Sequence, residues 1–453
     1  MDRRVGCPIP HLAHHVHDQL IFSDLDFPSQ AASAVWEDKH GGLMAENLKV
    51  LVWGHVEDGP CAYFRGHQFS DELLKLGVEY KGISRVDFDV AESGRGMLLP
   101  EAFSKGLVRV DSKDIDWADV VVFRRYYNTT LHCEQCPAVT FSYDEASRHE
   151  HGPMKERDII TRLLWPTFNY ANHGKAIVYE TDDDHFNIKK WNGYIKDVIP
   201  EYPMIEEMAK RADLVTTSTP TIAKRYARFN DNIRVIRNAV DPALYERTAE
   251  RPDTRTRMLY YGSTARMRDY VGDISDRGKI TGGYGGKAVQ DFARDLQRVF
   301  IGMNKNTEHM VVPLFDEVHE YVESIPGFCK LLADSWPEIG IAPLGGDEFD
   351  RAKSELHWLE YSMTGAAFIG ERYKGEGPYA PVRDGIDGLL AKGRQEWHDA
   401  MKKLVKNPNL RLDMAAAAKE RVLKEYHYKD RAKEWADAFK WAAENRGKKA
   451  KVS

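Results

Sequence analysis

The 453-residue chain has no run of about 18 consecutive apolar residues, so no membrane-spanning helix is expected. It has little cysteine. Five residues, an odd number, fit no secreted disulfide framework and point to a reducing cytoplasm. It lacks an excess of basic charge: 64 Lys and Arg face 70 Asp and Glu, for a formal net of -6. That balance argues against holding nucleic acid by bulk electrostatics but leaves a local basic groove open. The opening MDRRVGCPIPHLAHHVHDQL has no apolar core of signal-peptide length, so no leader is expected. What is present suffices for real cores: 42% hydrophobic and 11% aromatic residues, in a length that suits two domains.

Residues 1–48 carry scattered Pro, Gly and His without a sustained period and read as an extension. Within it, HLAHHVH (11–17) reads as a solvated histidine-rich arm rather than a metal site. The pattern then changes to short β-rich runs: KVLVWG (49–54), DVVVF (119–123), KAIVYE (175–180), DLVTTS (213–218) and IRVIRN (233–238). Helical spacing predicts helices at 69–77, 155–172 and 219–229 between them. The polar, arginine-rich stretch 238–257 reads as a linker, after which the alternation restarts. The second set of strands is expected at 258–263, 310–315, 338–344, 366–370 and 387–391, with helices over 287–300, 353–364, 394–405 and 410–424. A last amphipathic stretch, 430–445, puts Ala432, Trp435 and Phe439 on one face, ahead of a basic tail.

Strands alternating with helices predict α/β architecture: two tandem Rossmann-like lobes, each a doubly wound parallel sheet, facing one another across a cleft. The boundaries read from the sequence are an N-terminal extension at 1–48 and a first, acceptor lobe at 49–240 with an insertion at about 126–153. A second, nucleotide-sugar lobe spans 241–429, and residues 430–453 supply a helix that crosses back to the first lobe, then the tail.

The segment richest in chemistry is EIGIAPLGGDEFDRAKSELHWLEYSMTGAAFIG (338–370), which runs from a buried strand through a Gly-Gly loop into a helix. Leu356, Leu359 and Met363 form that helix's apolar stripe, and Glu360 sits beside it, where a carboxylate needs a partner. A ribose diol is such a partner, because a carboxylate accepts two hydrogen bonds at once. Lys353 and Ser354 lie near the helix start, where backbone N–H groups favour an anion such as a diphosphate. A surface helix with solvated charges is the alternative reading.

This segment resembles the donor site of the GT-B glycosyltransferases, in the large retaining group called family 4, whose members occur in bacteria and phages. Relatives there show a form like "DIGLAPL…FN-x-x-KS-x-x-K-x-x-EY-x-x-x-G-x-P". KVLVWGHVEDGPCAYFRG (49–66), KAIVYETDDDHF (175–186), ADLVTTSTPTIAKRY (212–226), NIRVIRNAVD (232–241), MLYYGSTARMRD (258–269) and PVRDGIDGLLAKGRQEWHDAM (381–401) resemble further family segments, in order. The resemblance implies transfer of a sugar from a UDP- or GDP-linked donor, with retention, and with positive groups standing in for a catalytic metal. It implies that Glu360 holds the ribose and that Gly262, Ser263, Thr264 and Ser354 help to bind the donor. Arg266, Arg268 and Lys353 then stabilise the leaving diphosphate. Gly59, Tyr63, Arg65 and Asp183 line the cleft on the acceptor side, with Asp182 at the reaction centre. The triplet Asp182–Asp184 also resembles the metal-binding "DXD" of the other major glycosyltransferase fold, but the two-lobed pattern favours the non-metal reading.

Some features depart from that pattern. The common family form has two glutamates separated by seven residues; counting back from Glu360 gives Ala352, so the first is missing. Glu355 and His357 also replace the expected residues. Separately, Cys133-x2-Cys136-x12-His149-x-His151 resembles a zinc knuckle except for its short final spacing. A structural Zn2+ and a loop of reduced cysteines and exposed histidines both stand as readings. The acceptor stays open among glycan, lipid, protein and modified DNA. A nucleotide-sugar epimerase on the same scaffold, or a catalytically inactive binding protein, are the rival readings.

Overall fold

The computed structural model describes residues 47–53, 60–83, 88–90, 108–110, 113–124, 131–133, 136–141, 171–172, 174–189, 195, 202–252, 255–274, 280–305 and 308–448. Two six-stranded sheets dominate them, and every pairing within both is parallel. The first contains β1 (Leu48–Trp53), β2 (Val78–Ile83), β3 (Val120–Arg124), β4 (Ala176–Thr181), β5 (Leu214–Thr217) and β6 (Ile233–Val235), in the order β6-β5-β4-β3-β1-β2. The second contains β7 (Thr256–Tyr261), β8 (Leu296–Met303), β9 (Glu317–Glu320), β10 (Ile339–Ala342), β11 (Ala367–Glu371) and β12 (Leu389–Ala391), in the order β9-β8-β7-β10-β11-β12.

Each sheet is buried on both faces, because alternate residues of its strands feed different cores. In the first sheet Leu51, Val121, Ile177 and Val215 enter one cluster, and Val50, Val120, Val178 and Leu214 the other. In the second, Leu259, Val299 and Phe368 face one cluster, and Met258, Phe300 and Ile341 the opposite one.

Six helices matter for the site: α1 (Pro60–Arg65), α2 (Pro220–Tyr226), α3 (Thr264–Val271), α4 (Glu348–Arg351), α5 (Leu356–Thr364) and α6 (Tyr428–Glu444). Helix α2 starts where it does because Pro220 occupies its first turn and the Thr219 hydroxyl accepts the Ile222 N–H at 3.3 Å. Helix α5 stops at Gly365, which takes a left-handed φ of 73°. Helix α6 packs on the first sheet although it follows the second: Ala432, Trp435, Ala436 and Phe439 are buried in the core of β1, β3 and β4. Trp435 also receives the Arg65 guanidinium over its ring, 4.9 Å from the centroid.

Among the described residues two expected elements differ; the helix expected over 155–172 lies outside them except at 171–172. The helix predicted over 287–300 is instead a helix at Tyr284–Asp291, a turn, and then β8. The strand predicted over 310–315 is a short helix at Glu308–Val311 followed by turn. Pro313 has no N–H to give a central strand.

Candidate functional site

In an open parallel sheet, ligands bind beyond the carboxyl ends of strands where the order reverses. In the second sheet that point lies between β7 and β10, since β8 and β9 lie on one side of β7 and β10 to β12 on the other. The expected Gly262, Ser263 and Thr264 follow β7 directly, and Ser263 precedes the first turn of α3 as its extended cap. Gly302, at φ 117°, runs beside this turn; a Cβ there would lie 2.4 Å from the Gly262 carbonyl oxygen. The absence of a side chain at Gly302 therefore permits a close backbone approach to this turn.

Beside the turn stands Glu360. Its carboxylate is 2% exposed and accepts a hydrogen bond from the Tyr261 hydroxyl at the end of β7. Burial pushes its pKa up to about 8, against the pull of that hydrogen bond. The His357 ring stacks on Tyr261 with centroids 4.5 Å apart. Burial, and then the nearby Arg266, press the imidazole down to about 3, so it is neutral at physiological pH. Arg266 reaches from α3 to within 3.4 Å of Asp269. Arg268, two residues on, is exposed, whereas Arg266 is partly enclosed, so the structure separates the two expected arginines.

The loop joining α4 to α5 is gripped by the first lobe. Lys353 pairs with Asp183 across the cleft. The Ser354 hydroxyl accepts from the Asn238 amide at 2.9 Å, and the Ala352 carbonyl accepts from the Thr219 hydroxyl at 3.0 Å. Glu355, fully buried, lies 3.2 Å from Arg237; burial raises its pKa and that arginine opposes the rise. Lys353 and Ser354 thus stand at the lobe boundary with first-lobe partners rather than beside Glu360 alone.

In the first lobe the expected acceptor residues divide. Asp182 and Asp183 follow β4 and are half-buried at the cleft. Tyr63 is half-buried against the second lobe's core, with its neighbour Phe64 inside that core. Arg65 requires a correction. It is 2% exposed, 2.8 Å from Glu180, and donates to the Ile236 carbonyl at 2.5 Å. The guanidinium braces the interior of the first lobe instead of lining the cleft, because the buried Glu180 demands a cation. Gly59, His149 and His151 lie outside the described residues, as do the side chains of Cys133, Cys136 and Thr264; only the backbone pairing of Cys133 with Cys136 in a hairpin is described. No group of three or more His, Cys, Asp or Glu among the described residues is arranged to hold a metal. No described helix is long and apolar enough to cross a membrane.

Sequence reasoning missed several participants. Tyr261 looked like one more strand residue, yet its hydroxyl orients Glu360. Lys189, in the polar run after the Asp triplet, crosses to the second lobe and lies 2.7 Å from Asp350, 3.2 Å from Asp347 and 3.3 Å from Asp269. Burial and then Asp350 push Asp269 up to about 6, while Arg266 and Lys189 hold it down. Only the clustering of acids at 347–350 next to a Gly-Gly loop hinted at this contact.

A glycosyl transferase-like family model matches residues 347–437, the stretch that contains α4, α5 and the start of α6. No curated protein matches the chain. Among solved structures, a sucrose-phosphate synthase of Thermosynechococcus elongatus aligns with a TM-score of 0.54 at 12% identity, covering 87% of this chain and 99% of that one. A glycosyltransferase of Rickettsia africae gives 0.54 at 10% identity, with 88% and 100% covered. The Anabaena protein HepE, in complex with UDP, gives 0.52 at 12% identity, with 87% and 100% covered. At such identities the likeness establishes the fold, which is the two-lobed GT-B arrangement.

Proposed function

We propose that the chain is a glycosyltransferase that moves a hexosyl or pentosyl group from a UDP- or GDP-linked sugar to an acceptor, with retention and without a catalytic metal. The reading rests above all on Glu360, a buried carboxyl beside the glycine turn at the second sheet's switch point, with Tyr261 as its hydrogen-bond donor. A ribose diol would give that carboxyl the donors its burial denies it, and would draw it into the ionised form. Ser263 and the first N–H groups of α3 face the diphosphate, with Arg266 on the same helix and Lys353 at the lobe boundary as its cations. Arg268 is the outer cation of that set. Departure of the nucleoside diphosphate breaks the glycosidic bond as the acceptor oxygen attacks the same face. The acceptor's proton passes to the departing phosphate, so no side-chain base is needed. Asp182 and Asp183 border the acceptor side.

Calorimetric titration with UDP, GDP and their glucose conjugates tests the reading. One of them is expected to bind, and Glu360→Ala to weaken it by about 2–4 kcal/mol, the worth of one or two charge-assisted hydrogen bonds. Unchanged affinity in that variant removes Glu360 from the site.

A second reading, donor binding without transfer, is favoured by Ala352. The position of the family's first glutamate is buried, packed in the first lobe's core, and tied through its carbonyl to Thr219. Bound donor that is never turned over, across glycan, lipid, protein and DNA acceptors, supports this second reading.

A further inference from the structure

A second concavity, of about 530 Å3, opens between the lobes, lined in part by Phe186 and Asn187 just after the Asp182–Asp184 triplet. The first lobe lines it with Lys224, Arg225 and Arg228, and the second with Glu348, Arg351 and Glu376. Four cations thus face two carboxylates.

The charges are not equally available. Arg225 is engaged twice, by the buried Asp184 at 2.6 Å and by Glu348. Arg351 lies 3.3 Å from Glu348 and donates to the carbonyls of Lys374 at 3.1 Å and Glu376 at 2.8 Å. Lys224 and Arg228 have no carboxylate partner among the described residues. The Arg228 guanidinium is instead steadied over two rings, 4.7 Å from the Phe186 centroid and 4.4 Å from that of Phe229. The wall therefore presents two positive charges outside any ion pair, one of them pre-positioned, against the one lining carboxylate, Glu376, that no ion pair among the described residues holds.

We propose that this concavity binds a phosphate monoester carried by the acceptor. A dianion matches the two unspent cations, and Arg228 and Lys224 together offer more donors than a carboxylate can accept. The inference rests on the transferase reading for the word acceptor, but not for the phosphate site itself. Asp184, which anchors Arg225 here, is the neighbour of Asp183, which pairs with Lys353 in the cleft. A phosphate held at this wall would place the rest of its molecule toward the reaction centre.

The test uses the full chain with saturating UDP, so that the diphosphate site is occupied, and titrates glycerol 3-phosphate, glycerate and glycerol by ligand-observed NMR. Glycerol 3-phosphate is expected to bind, glycerate about tenfold more weakly, and glycerol not at all. The double variant Lys224→Ala/Arg228→Ala changes exposed side chains and is expected to weaken glycerol 3-phosphate about tenfold or more while UDP affinity holds. Equal binding of the three probes, or a double variant that binds glycerol 3-phosphate like the parent, overturns the proposal. If UDP itself fails to bind, the transferase reading falls, and the phosphate comparison between parent and double variant still decides the pocket.

Discussion

At the scale of single residues, Glu360 couples the site to pH. Its carboxyl titrates near 8 when folded but in the ordinary range when unfolded, so the folded chain holds a proton that the unfolded chain releases. Stability from this group is therefore full at low pH and lost as pH rises toward and through 8. Glu360→Gln keeps the shape without the titration. Thermal melts from pH 5 to 9 are expected to show the wild type losing roughly 2–4 kcal/mol that the variant retains; parallel curves refute the assignment. Donor binding should run the other way. Ribose hydroxyls favour the ionised carboxylate, so affinity for UDP-glucose, whose phosphates do not titrate here, is expected to rise between pH 6 and 9. Tyr261→Phe removes the hydrogen bond that holds the pKa down and should move that rise to higher pH, which titrations across the range would read.

At the scale of elements, legibility followed burial pattern. Strands β3, β4, β5 and β10, buried along their whole length, stood out as apolar runs, and so did α6 with its regular stripe. Strand β9 reads EVHE and lies at the sheet edge, where charge protects an unpaired backbone but erases the apolar signal. Strand β8 was hidden by the helical spacing of KAVQDFARDLQRVF; what decides its state is pairing with β7 on one side and β9 on the other, which no local pattern encodes. For the site, Glu360 was legible through its helix, but Tyr261 and Lys189 were not, since their partners lie 99 and 161 residues away. The end of β8 makes its own prediction. Gly302→Ala would drive a methyl group into the Gly262 carbonyl. It is expected to cost about 1–3 kcal/mol in denaturant melts and to weaken donor binding by displacing the turn after β7.

At the scale of the whole molecule, the lobes are joined by charge as much as by chain. Lys189 is 10% exposed and neutralises Asp269 and Asp350, both nearly buried. Lys189→Met would remove the cation that bridges those carboxylates and leave Arg266, 3.4 Å from Asp269, to offset them, at an expected cost of about 3–5 kcal/mol. Small-angle scattering should show a larger radius of gyration above pH 6, where Asp269 ionises, and a smaller change below it. An unaltered profile at both pH values would show that the contact does not hold the lobes.

The covalent crossings between the lobes are also paired. The chain leaves the first sheet near Val240 and returns at Tyr428, and there the two passes run side by side: the Val240 N–H donates to the Tyr426 carbonyl at 3.0 Å and the Tyr428 N–H to the Val240 carbonyl at 3.1 Å. Two adjacent passes bonded in this way make a strap rather than a swivel, so relative movement is confined to bending across it. Severing the polypeptide at either pass would leave the other as the tether. A fragment cut after residue 240 would lack the helix that seals β1, β3 and β4, and a peptide spanning α6 supplied in trans is the piece that would restore it.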